Sequence, residues 1–163
     1  MDVATFYALF SATCFTLVGL WWAVIQKHEV WLRSPEGRRD AGGIYLAFLL
    51  PALMGLFAQV GGTENPLIWR VSFVVVALIG CWSTLRLLQR SREDGDAGLF
   101  ARHRWIAALI YALIAVLGVA PEIVDPLGVT PLQAEATLLI LLIALAHWLV
   151  WEFMTHTEPE PGS

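Results

Sequence analysis

Five apolar runs, each about 20 residues long and so long enough to cross a bilayer, take up nearly the whole chain. They cover residues 3–26, 43–60, 66–88, 105–124 and 132–154. Peptide groups have no water to bond in hydrocarbon, so an apolar run of this length resolves into a helix. The 58% hydrophobic composition agrees, since soluble domains hold roughly 45–50%. The predicted fold class is an all-α integral membrane protein: a bundle of five transmembrane helices in one domain over residues 1–154, with a short polar, disordered tail at 155–163. The first run opens on Met1-Asp2 without a basic leader and is too long for a secretory signal, so it is expected to remain in the mature protein.

Orientation follows from the cations. Nine of the ten Lys and Arg residues fall between Lys27 and Arg39 or between Arg86 and Arg104, whereas the connectors at 61–65 and 121–130 have none. Basic connectors stay on the cytoplasmic side. That places the N-terminus outside and the C-terminus in the cytoplasm, and points to the bacterial inner (plasma) membrane. Tryptophan, which gathers where bilayer meets water, supports the same polarity. Trp21, Trp22, Trp31, Trp105, Trp148 and Trp151 map near the inner interface, Trp82 to the inner half of its run, and only Trp69 to the outer end. Asp2, Glu64, Glu122, Asp125 and Glu135 make the outer end acidic, with Arg70 the single cation there.

Local signals mark where helices begin and where they meet. Asn65-Pro66 and Thr130-Pro131 each set a capping side chain before a proline at the first helical position, and Gln133 completes a capping box. Asp40-Ala41-Gly42 is read as the start of the second helix. Small residues recur at helical spacing at Ala8, Ala12, Thr16, Gly19 and Ala23, again at Ala47, Pro51, Gly55 and Ala58, and at Ala108, Ala112 and Ala115. Such faces let helices approach closely in lipid. Pro51 also withdraws a backbone donor in mid-run and is expected to kink the helix, with a carbonyl freed for a permeating species. Cys14 and Cys81 have no CxxC spacing and read as packing residues.

Ionisable groups within apolar runs are costly and therefore carry the functional expectations. Arg70 and Glu135 each follow a helix-opening proline by four residues, which puts both about one turn below the outer surface and in reach of each other. His147 is the deepest, with Trp151 on its face and Glu152 nearby, and an imidazole can take or release a proton near neutral pH. Pore or ligand candidates are thus His147, Glu152, Trp151, Arg70, Glu135 and Pro51. No cofactor is expected, the minor alternative being a haem or metal held by His147 with His28 or His103. With no Gly-rich phosphate loop, no Gly-x-Ser-x-Gly and no paired carboxylates in one run, an enzyme is not expected, nor is a nucleic-acid partner. The leading expectation is a homo-oligomeric channel or passive ion permeation protein with cation preference, its acidic mouth concentrating cations. The alternatives are an accessory or assembly subunit of a larger membrane complex, and a membrane haem- or small-ligand-binding protein.

Overall fold

Proline and a neighbouring hydroxyl decide where two of the helices begin. In the computed structural model, which describes residues 2–61, 66–93 and 99–156, Ser34 stands before Pro35, and its Oγ accepts a hydrogen bond from the Gly37 amide at 2.9 Å. Thr130 and Gln133 cap each other reciprocally: the Thr130 amide donates to Oε1 of Gln133 at 3.0 Å, and the Gln133 amide to Oγ1 of Thr130 at 3.3 Å. These bonds satisfy first-turn amides that have no partner inside the helix. Asn65, expected to cap the third helix, lies outside the described residues.

The elements are α1 (Val3–Lys27), a 3₁₀ turn (Glu29–Arg33), α2 (Pro35–Gly61), α3 (Pro66–Glu93), α4 (Leu99–Val119), a 3₁₀ segment (Pro121–Leu127) and α5 (Pro131–His156). No strand occurs among the described residues. Several boundaries differ from the sequence reading. α2 begins at Pro35 and not beside Gly43, so Asp40 lies within the helix and the charged Arg38 and Arg39 form its first turns. The fourth run is not one helix to Val124. It stops at Val119, because Pro121 has no amide to bond the Leu117 carbonyl, and the Pro121–Leu127 segment leaves at 96°. α5 continues through Thr155 and His156, which the sequence reading assigned to the tail; residues 157–163 lie outside the described residues. α2 runs unbroken through Pro51.

Four of these helices are long and apolar enough to cross a membrane, and five candidate spans result if α4 and its bent extension count as one. α2 is the axis of the bundle: half of its candidate span (50%) is buried, against 28% for each of α1, α3 and α5. It touches α1, α3 and α5, and α4 closes the group against α3 and α5. Towards the acidic end the core is built from Tyr7, Met54, Trp69, Phe73, Ile114 and Leu139, and towards the basic end from Trp21, Ile25, Ile44, Phe48 and Phe153. Trp21 therefore belongs to the core and not to an interfacial belt: it is 3% exposed, and its indole N–H donates to the Ala41 carbonyl at 3.0 Å. Trp22, Trp82, Trp105, Trp148 and Trp151 do face outward.

Where helices cross, glycine makes room. A Cβ on Gly55 would strike Ser11 Oγ, which itself donates to the Ala52 carbonyl at 3.2 Å, and a Cβ on Gly80 would lie 2.6 Å from the Tyr111 ring. Gly42, on the outside of α2, would meet nothing within 4 Å. Gly80→Val should therefore lower stability by about 1–3 kcal/mol through overpacking, whereas Gly42→Ala should hold or raise it by up to about 1 kcal/mol through helix propensity. Thermal unfolding of the purified variants in one detergent checks both signs.

Candidate functional site

The α4 break creates the first polar requirement in the bundle. Once the chain turns at Pro121, the last α4 carbonyls lose their helical donors, and the Ile123 amide bonds Ala120 instead at 3.3 Å. Arg70 on α3 fills the gap. Its Nε donates to the Gly118 carbonyl at 2.9 Å and its Nη2 to the Val119 carbonyl at 2.8 Å. Gly118 allows this approach, since a Cβ there would lie 2.7 Å from Val74 and 3.3 Å from the Arg70 carbonyl. Arg70 is thus a cross-helix cap, and the pair anticipated with Glu135 does not form.

Glu135 is left in a different position. It is 0% exposed, and neither carboxyl oxygen has a hydrogen-bond partner. The nearby Tyr7 hydroxyl is directed elsewhere, donating to the Leu132 carbonyl at 2.8 Å and so tying α1 to α5. Buried polar groups are nearly always bonded, which makes Glu135 the most conspicuous side chain of the interior. Tyr7 was not singled out from sequence, although Tyr7, Ser11, Cys14, Trp21 and Ile25 form the buried face of α1 at helical spacing.

His147 lies on the outside of the bundle. Its ring packs edge-on against Phe48 with centroids 5.6 Å apart, and Nδ1 sits 2.8 Å from the Ile143 carbonyl. Trp151, expected on the same face, is likewise exposed, at 69%, as is Ile140, at 51%. Glu152 is not on that face: it is buried beside Phe153, with Oε2 unpartnered. The structure therefore separates His147 and Trp151 from Glu152, and both from Arg70 and Glu135 at the opposite end. No group of three or more His, Cys, Asp or Glu side chains that could hold a metal occurs among the described residues; the His103 side chain lies outside them.

Pro51 is fully buried. It withdraws the amide that would bond the Ala47 carbonyl, and Ala47 lines a cavity of about 60 Å³ among α2, α3, α4 and α5. Ser83, Thr84 and Tyr111 also line it, with Asp40 at the basic end. Both hydroxyls on α3 donate to the Gly80 carbonyl, at 2.9 and 2.7 Å, which leaves their lone pairs as acceptors. Space of this size holds one or a few waters. Comparison with known proteins adds nothing to this geometry, because no family model, no curated protein and no solved structure matches the chain.

Two substitutions separate structural from other duties here. Arg70→Met strands two carbonyls and should cost about 1–3 kcal/mol. Glu135→Leu removes an unbonded polar group from an apolar interior and should raise the unfolding temperature. Paired thermal unfolding curves read both, and a fall in stability for Glu135→Leu would mean that the carboxyl has a partner in the assembled protein.

Proposed function

We propose that this chain is an integral membrane protein, its basic end in the cytoplasm, that serves as an assembly or accessory subunit by seating a partner helix on α1. One observation carries the reading. Ala8, Ala12, Thr16, Gly19 and Ala23 are all exposed on one face of α1, whereas Pro51, Gly55 and Ala58 of α2 are spent on packing within the bundle. Thr13 and Thr16 return their hydroxyl protons to the Leu9 and Ala12 carbonyls, so the face presents little that lipid would reject and much that a second helix could approach. His147 supports the same view from α5, since a polar ring on the outer surface of a membrane bundle gains by contact with another protein.

The channel reading is retained in one form. Arg70 is committed to capping, Glu135 is sealed in the core and the internal cavity is small, so a permeation path would run between copies of the chain, with the outward-facing His147 and Trp151 beside it. Purification of the full-length protein from its native membranes in mild detergent distinguishes the two. The subunit reading expects a stoichiometric partner, and expects Ala12→Leu with Gly19→Leu to cut its recovery about tenfold, the effect of roughly 1.4 kcal/mol in association. Self-assembly without a partner, with ion flux in liposomes lost in His147→Leu, would favour the channel. A lone monomer without flux would dispose of both.

A further inference from the structure

An open groove of about 570 Å³ runs between α2 and α3 at the basic end of the bundle. Its lining includes Arg38, Arg39, Gly42, Gly43 and Leu46 from α2, and Trp82 and Arg86 from α3. The arrangement is graded along the helix axes. Arg38 lies in the first turn of α2 and Arg86 two turns before the end of α3, so both lie towards the basic end of the bundle. Leu46 lies two turns further into α2, and Trp82 one turn further into α3. The groove is therefore cationic at the bundle end and apolar towards its middle, with an indole 70% exposed along its side.

Two adjacent glycines open it. In a helix each costs roughly 1 kcal/mol relative to alanine, and nothing inside the bundle demands Gly42, whose Cβ would find open space. Gly43 would meet only Leu87, at an ordinary 3.6 Å. The vacant volume thus lies outside the protein's own packing, on the surface that faces lipid. Asp40, the acidic residue of this turn, lines the adjoining internal cavity and not the groove.

We propose that this groove binds one anionic phospholipid, with its phosphate between Arg38 and Arg86 and an acyl chain laid over Gly42, Gly43 and Leu46 beside Trp82. A guanidinium offers a planar fork of donors that suits phosphate oxygens, and basic pockets between helices at a membrane surface select acidic headgroups. A free phosphate would use only the arginines and leave the apolar floor uncovered. A zwitterionic lipid would cover the floor but bring a second cation to the arginines. The inference needs the membrane reading of the chain and not the partner reading, so failure of one leaves the other standing.

Native mass spectrometry of the full-length protein in detergent tests it, with phosphatidylglycerol and phosphatidylcholine of matched acyl chains as probes. Phosphatidylglycerol should be retained about tenfold more tightly. Arg38→Gln with Arg86→Gln should reduce that preference to within about twofold, while the charge-conserving Arg38→Lys with Arg86→Lys keeps most of it. Gly42→Leu, which adds bulk to the groove from a position whose Cβ meets no other atom within 4 Å, should cut retention of phosphatidylglycerol with both arginines in place. Added inorganic phosphate should leave the lipid bound. Equal retention of the two lipids, an unchanged preference in the double glutamine variant, unchanged binding in Gly42→Leu, or displacement by inorganic phosphate would each overturn the proposal.

Discussion

The need to bond every buried peptide group governs this molecule more than any single side chain does. Helices satisfy it along their length, and the places where they fail to do so are where polar residues appear. α4 ends before Pro121, and Arg70 reaches across from α3 to take up the Gly118 and Val119 carbonyls. α2 begins at Pro35, and Ser34 meets an exposed amide. α5 begins at Pro131 with a reciprocal Thr130 and Gln133 pair. An arginine that looks from the sequence like a gating residue is, in three dimensions, the repair for a broken helix.

Interior and exterior are both apolar, and this shapes what the bundle can do. Leu20, Val71, Leu78, Leu109 and Ile140 are among the many large side chains left on the outside, a surface that suits lipid and would be a liability in water. Within, α2 is held by its neighbours through contacts that tolerate nothing larger than glycine at Gly55. The features that the proposals use lie on the perimeter: the small-residue face of α1, the His147 face of α5 and the basic groove between α2 and α3. Alongside Glu152, which has one oxygen unpartnered, Glu135 is the exception: an acidic group buried with both oxygens unpartnered. Its presence there opposes stability, and a residue that opposes stability is the natural place to look for a duty.

Much of the architecture was legible in the sequence because the signals are local. Runs of apolar residues gave the number and approximate limits of the helices, and Thr130-Pro131 with Gln133 gave the start of α5 to the residue. Ser34-Pro35 carried the same signature for α2, but the charges of Arg38, Arg39 and Asp40 hid it by breaking the apolar run. Facing was not legible. Adjacent Trp21 and Trp22 are identical in composition and opposite in fate, one buried and one half exposed, because a helix apolar on all sides has no polar face to reveal which side turns inward. For the same reason the spacing that set His147 near Glu152 said nothing of their pointing to different surroundings. The Arg70 contacts depend on where α4 breaks, a matter of tertiary geometry that no spacing along α3 contains.

The account depends on these helices threading a bilayer with the arginine-rich end retained in the cytosol. Accessibility of single cysteines in intact cells measures that directly. In a background with Cys14 and Cys81 replaced by serine, Leu127→Cys and Val30→Cys place thiols on exposed residues at the acidic and basic ends, 74% and 66% exposed in the parent chain. A membrane-impermeant maleimide should label Leu127→Cys in whole cells and Val30→Cys only after permeabilisation. Labelling in the reverse order, or recovery of the protein in the soluble fraction, would contradict the account.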